Sequence, residues 1–159
     1  MKKRFLVVIV ILVLGATGAF AARGGSLGIG GEGSLYFDGS TGGLPMGAML
    51  TLKLPSFPLY LGIGISTNPA LAVTVDYWFA HGNVTGILDY YAGIGGYGFI
   101  DFSPTNFAVG GRIPLGLQLW PFGRVFEIFF EVAPAVGISV IPTAFDWHLQ
   151  SAIGFRFWV

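Results

Sequence analysis

The chain contains no cysteine, so disulfide frameworks, thiol catalysis and thiolate-bound zinc or iron–sulfur centres are all excluded. Charge is scarce as well: 10% of its 159 residues are charged, against roughly 25% in an ordinary soluble domain. Eight Lys+Arg balance eight Asp+Glu, leaving no basic footprint for a phosphate backbone and therefore no expected nucleic-acid partner. Only two histidines are present, His81 and His148, too few for a usual metal cage. What remains is hydrophobic (53%), aromatic (16%) and rich in Gly (26) and Pro (9), a mixture that argues against helical bundles.

The N-terminus reads as a sorting label. Met1-Lys2-Lys3-Arg4 is a positive n-region, Phe5 to Gly15 an apolar h-region, and Ala19-Phe20-Ala21 supplies the small residues a signal peptidase reads. The expected signal peptide is 1–21, with residues 22–159 as one exported domain. An uncleaved anchor is the alternative, because Phe5 to Ala22 carries no charge; the Gly15-Ala16-Thr17-Gly18 stretch, which loosens a helix where a span stays apolar, favours cleavage.

From Ser26 onward, turn signals at Asp38-Gly39-Ser40, Pro55-Ser56-Phe57-Pro58, Asn68-Pro69, His81-Gly82-Asn83, Ser103-Pro104-Thr105-Asn106, Pro121-Phe122-Gly123-Arg124 and Pro142-Thr143 divide eight apolar segments. Each segment alternates with a period of two. One face is hydrocarbon, as in Leu59, Leu61, Ile63 and Ile65 or Ile128, Phe130, Val132 and Val136. The other holds Gly, Ser, Thr and every mid-strand charge: Glu32, Lys53, Asp76, Asp89, Arg112, Glu127, Glu131 and Arg156. A soluble barrel turned polar-side-out lacks enough polar residues to solvate itself. A helical multi-span chain fails at its best window, Leu54 to Val75, which Pro55, Pro58, Gly62, Gly64 and Pro69 interrupt. The expected fold is all-β: an eight-stranded antiparallel up-and-down transmembrane β-barrel, apolar outside and charged within. Outward aromatics gather near strand ends, Phe37, Phe102, Phe107 and Trp147 at one and Phe57, Phe79, Phe126 and Phe157 at the other, as interfacial belts would.

The ending Phe155-Arg156-Phe157-Trp158-Val159 resembles the terminal strand signal of bacterial outer-membrane barrels, departing from it in the last residue. Gly111-Arg112-Ile113-Pro114-Leu115-Gly116-Leu117 with Phe126 to Pro134 is similar to a strand pair in small eight-stranded outer-membrane proteins of the OmpA/OmpX/OmpW-like class. The resemblance implies the fold, an outer-membrane location, lipid as surroundings, and periplasmic chaperones and the barrel-assembly machinery as partners during biogenesis. It also implies that both ends, and the short turns, face the periplasm, with 38–43, 67–69, 101–106 and 142–145 facing outward. It carries no agreed activity.

Two matches to the dinucleotide fingerprint, Gly28-Ile29-Gly30-Gly31-Glu32-Gly33 and Gly93-Ile94-Gly95-Gly96-Tyr97-Gly98, precede no helical pattern and read as wall glycines. His148 and Ser151 lie on opposite faces of one strand, and Ser139 is the remaining serine across the hairpin. The chain is thus read as no enzyme, with no cofactor and no metal: a structural or surface-interaction barrel with a filled, charge-paired lumen. The alternatives are a narrow channel or pocket for a small apolar molecule and, after it, a lipid-modifying enzyme. Counting from the turns places Glu131 between Arg112 and Arg156, and sets Asp76 beside Asp89 with Tyr60 and Lys53 continuing the row. A first expectation is that the mature chain begins at Ala22; intact-mass analysis returning all 159 residues would overturn it.

Overall fold

The computed structural model describes residues 27–38, 46–55, 57–66, 70–102, 105–140 and 143–159. The segment assigned to a signal peptide, and the turn signals at Gly39-Ser40, Asn68-Pro69, Ser103-Pro104 and Pro142, lie outside them. Among the described residues every regular element is a strand: β1 (Gly28–Asp38), β2 (Met46–Lys53), β3 (Leu59–Ser66), β4 (Ala70–Thr85), β5 (Leu88–Phe102), β6 (Thr105–Arg112), β7 (Leu115–Leu119), β8 (Phe126–Val140) and β9 (Thr143–Trp158). The window weighed as a helix, Leu54 to Val75, supplies β3 and the start of β4, since its β-branched and aromatic residues alternate between Pro and Gly punctuation.

All nine strands pair antiparallel in one sheet, and β1 pairs with both β2 and β9, so the sheet runs round into a ring. The segment expected as one sixth strand is two. Pro114 has no N–H to donate and interrupts the ladder between β6 and β7, yet both pieces lie between β5 and β8 and share one position in the ring. Backbone bonds bridge the gap on both sides, from Gly93 N to the Pro114 carbonyl (2.8 Å) and from Ile113 N to the Pro134 carbonyl (3.0 Å). Following register from Gly28 through Lys53, Tyr60, Asp76, Gly95, Arg112, Ala135 and His148 returns to β1 at Asp38, ten residues on. Over eight positions, with about 3.3 Å per residue and about 4.8 Å between strands, that offset inclines the strands by about 40° and gives a radius of about 8 Å. Such an interior holds its own side chains and little more.

The two faces divide as the alternation requires. Ile63, Ile65, Val73, Val75, Ile128, Phe130, Ile153 and Phe155 are exposed on the outside, while Lys53, Asp76, Asp89, Arg112, Glu127, Glu131 and Arg156 are buried inside. Among the described charged side chains only Arg124, in the turn between β7 and β8, and Asp146, near the start of β9, are substantially exposed.

The β4–β5 turn differs from expectation. His81-Gly82-Asn83 continues β4, and the chain reverses at Gly86, whose φ of 51° suits glycine. Asn83 stabilises that later turn, its Nδ2 donating to the carbonyls of Gly86 (3.0 Å) and Leu88 (3.2 Å). Irregularities between Trp78 and Ala80 and between Asn83 and Thr85 absorb the added length.

Inner glycines make room for large neighbours. A Cβ at Gly116 would enter the Tyr91 ring, whereas one at Gly33 meets nothing within 4 Å. Gly116→Ala is therefore expected to destabilise the fold by about 1–3 kcal/mol by overpacking, and Gly33→Ala to stay within about 0.5 kcal/mol of the parent. Urea unfolding of the refolded protein measures both, and equal effects would show that Tyr91 is free to yield.

Candidate functional site

Two arginines organise the interior. Arg112, the last residue of β6, donates to Glu131 of β8, ion-pairs through Nε with Asp76 Oδ1 of β4 (3.0 Å), and donates through Nη1 to Gln150 Oε1 of β9 (2.6 Å). The second oxygen of Glu131 accepts the Tyr91 hydroxyl at 2.6 Å. One guanidinium thus ties four positions of the ring together, using donors that are fixed in direction and permanently charged. Glu32 of β1 joins Asp76, Arg112, Glu131 and Arg156 around a cavity of about 10 Å³, the scale of a single water.

Arg156 of β9 forms a separate pair. Its Nη1 donates to Glu127 Oε1 (2.8 Å) and its Nε to Thr51 Oγ1 (3.1 Å), while the guanidinium lies 3.8 Å from the Phe129 ring centre. Glu127 is fully buried and well supplied: Oε1 also accepts from Gln118 Nε2 (2.8 Å), and Oε2 accepts from Trp158 Nε1 (2.7 Å). Beside it stand three stacked rings, Tyr60 on Trp78 (3.4 Å between centres) and Trp78 on Tyr91 (3.6 Å). Toward the same end, Lys53 Nζ lies 5.7 Å from the Trp158 ring, and Arg124 reaches back from its turn over Trp120 (5.5 Å) to Asp89 (3.2 Å).

The row Lys53, Tyr60, Asp76 runs straight across β2, β3 and β4. Three other placements are corrected. Glu131 does not sit between the two arginines, because Arg156 stands opposite Glu127 and Glu131 opposite Ala152. The pairing of β8 with β9 is shifted by three residues from the register a centre at Thr143 would give, with Val140 facing Thr143. Asp76 and Asp89 are not neighbours: with the turn moved to Gly86, Asp76 faces Gly95 and Asp89 faces Asn83, whose Nδ2 donates to it at 2.9 Å. Their counter-charges also differ, Arg112 for Asp76 and Arg124 for Asp89. Ser139 faces Ala144 while His148 faces Ala135, so no serine and histidine meet across the hairpin. His81 lies within β4, opposite Tyr91.

Alternation alone could have placed Trp78 inside, two residues beyond Asp76; the return of Arg124 from a turn had no sequence signal. Chemically the interior is a set of carboxylates, of which Asp76, Asp89, Glu127 and Glu131 each face an arginine. Among the described residues, no three His, Cys, Asp or Glu side chains stand together to hold a metal ion.

Residues 38–158 match the family described as "Protein of unknown function (DUF3996)". The chain belongs to this family. No curated protein and no solved structure matches it. The DUF3996 match includes Lys53, Tyr60, Asp76, Asp89, Arg112, Glu127, Glu131 and Arg156, all of the charged cluster except Glu32. Its description assigns no activity.

Removing one partner of a buried pair strands the other, so Glu131→Ala is expected to cost about 3–5 kcal/mol. A double-mutant cycle in urea should find Glu131 and Arg112 coupled by about 1 kcal/mol or more, and Glu131 and Arg156 additive within about 0.5 kcal/mol. The reverse order would show that the two pairs are not separate.

Proposed function

We propose that this DUF3996 protein is an integral outer-membrane β-barrel with a structural or surface-interaction role and a sealed lumen. The observation that carries the reading is the distribution of charge. Among the described charged side chains only Arg124, in a turn, and Asp146, near one end of β9, are substantially exposed, while the exposed large side chains of the strands are mostly Ile, Val, Leu and Phe. Water solvates such an outer face poorly, whereas hydrocarbon accepts it, and a ring without free edges satisfies the backbone hydrogen bonds that lipid cannot. The offset of ten residues and the inclination of about 40° are those a small membrane barrel needs. Exposed Phe102, Phe107 and Trp147 near one end, and Phe57, Phe79 and Phe157 near the other, fit two interfacial belts. The positive, apolar and small-residue pattern of 1–21 supports export, and the likeness of the last strand to outer-membrane barrels supports assembly by the machinery that inserts them. On this reading lipid is the standing partner, periplasmic chaperones act during biogenesis, and no turnover takes place.

A sealed lumen is favoured over a channel or a ligand pocket. Tyr60, Trp78 and Tyr91 stack from three neighbouring strands, with Arg156 beside them, within an interior only about 8 Å in radius. The lipid-enzyme reading lacks its essential geometry, since the serine and histidine weighed for it are apart.

The test is reconstitution. The protein refolded from urea into lipid vesicles should give a β-type circular dichroism spectrum and a band whose gel migration changes on boiling, and it should pass no current across a planar bilayer. Failure to fold except in water would overturn the membrane reading. Stable single-channel steps from the parent protein would overturn the seal alone.

A further inference from the structure

The motif Gly28-Ile29-Gly30-Gly31-Glu32-Gly33 opens β1 and divides between the two sides of the wall. Gly30, on the inner side, has to be glycine, because a Cβ there would run into the carbonyl of Phe155. Gly31 and Gly33, on the outer side, do not. A Cβ at Gly31 would find nothing nearer than 3.7 Å, and one at Gly33 would meet nothing within 4 Å. The packing of the ring leaves both positions free to carry side chains, and their bareness lowers the outer surface along β1.

Around them that surface stands high. In register, Gly31 lies between Phe155 of β9 and Leu50 of β2, while Gly33 lies between Ile153 of β9 and Ala48 of β2, with Ile65 of β3 beyond. Phe155, Leu50, Ile153 and Ile65 are all exposed. They wall an apolar furrow of about 640 Å³ whose floor is Gly31, Gly33 and Ala48. Pockets that hold a small molecule span about 300–1,000 Å³.

We propose that this furrow seats one acyl chain of a membrane phospholipid, an inference that rests on the membrane reading of the outer face. The walls are hydrocarbon, because Glu32, between the two glycines, carries its side chain on the inner face beside Arg112 and Arg156. A headgroup or a polar peptide gains nothing there. The floor offers no hydrogen bonds either, since Gly31 and Gly33 are paired with β2 on one side and β9 on the other, so no partner strand can add to it. At Gly31 the walls are two strand spacings apart, about 10 Å between backbones before their side chains take their share. An α-helix about 10–12 Å across does not enter such a slot. A chain of methylenes does, and it touches the floor and both walls at once. Elsewhere on the ring, projecting side chains hold lipid off the backbone; here many small dispersion contacts add up on one chain.

Depth selects the leaflet. At the end of the ring where Leu27 pairs with Val159, Phe157 faces Ile29, two residues before Gly31. With about 3.3 Å per residue and an inclination of about 40°, Gly31 lies about 5 Å and Gly33 about 10 Å deeper than Phe157. Both stay within one half of an apolar band about 25 Å tall. A phospholipid with its headgroup level with Phe157 therefore lays a tail along both glycines.

The experiment is native mass spectrometry of the protein refolded into palmitoyl-oleoyl phosphatidylcholine vesicles, extracted in mild detergent and freed from it in the gas phase. The parent should retain one phospholipid per chain, and should do so equally from phosphatidylglycerol vesicles, because the tail is what is held. Gly31→Leu/Gly33→Leu, which fills the furrow, should lose the bound lipid while keeping its heat-modifiable migration. Val136→Leu, which adds bulk to the outer face of β8, should retain it. If the double variant does not fold, Gly33→Leu alone decides. An inserted parent that retains no lipid overturns the proposal, as does retention undiminished in the filled variant or confined to one headgroup. A lipid-free dimer that Gly33→Leu dissociates overturns it by giving the furrow to a second copy. Failure of the parent to insert into vesicles at all strikes the membrane reading itself, and the furrow with it.

Discussion

A ring whose outer face is hydrocarbon has to place every carboxylate and guanidinium of its strands on the inner face, and an inner face about 8 Å in radius brings them into contact with one another. Each inner charge therefore needs its counter-charge and its donors within a side chain's reach, since an unmatched charge in a dry interior is costly. Arg112 and Arg156 meet that demand in different ways. Arg112 spreads over three strands other than its own and holds two carboxylates. Arg156 holds one, Glu127, whose oxygens are filled further by Gln118 and Trp158. Small residues follow from the same crowding: Gly116 gives Tyr91 its space, and Gly110 and Gly137 lie against Tyr97.

The aromatic stack and the ion pairs occupy one layer. Tyr91 belongs to both, with its ring on Trp78 and its hydroxyl on Glu131. Arg156 links them again, paired with Glu127 while it lies over Phe129 and near Tyr60 and Trp78. A guanidinium is weakly hydrated and stacks well on aromatic faces, so arginine suits a site where a point charge such as lysine would keep seeking water. Lys53 is accordingly the buried cation placed at the end of the row, beside Trp158.

Which side chains face inward was legible in the sequence, because period-two alternation survives any error in where a strand starts, provided the error is even. That is why Glu32, Lys53, Asp76, Asp89, Arg112, Glu127, Glu131 and Arg156 all carry the inner side expected of them. Partners were legible only where turns were. The pairing of Lys53 with Tyr60 depends on the Pro55–Pro58 turn, whose prolines mark it without ambiguity, and that of Tyr60 with Asp76 on the next turn signal in the sequence, Asn68-Pro69. His81-Gly82-Asn83 has turn residues too, but irregular pairing let β4 run through it to Gly86, and Asp89 went to Arg124 instead of standing by Asp76. Pro114 was visible, and its effect was local: it cut a strand in two without moving either piece from its place between β5 and β8.

The same reasoning says what buried ion pairs do in such a ring. Replacing a buried pair by hydrocarbon is often neutral or stabilising, so net stability is a weak reason to keep them. Register is a stronger one. A slip of one residue turns every inner charge onto the outer face, away from its partners and among apolar side chains. A slip of two keeps every charge inside and every apolar residue outside, so the hydrophobic pattern cannot detect it. The pairs can: two residues along β9, Glu127 would face Gly154 or Trp158 in place of Arg156, and the acceptor filled by three donors would lose its guanidinium. Alternation thus chooses the face, and Arg156 with Glu127, like Arg112 with Asp76 and Glu131, chooses among the registers that alternation leaves equal.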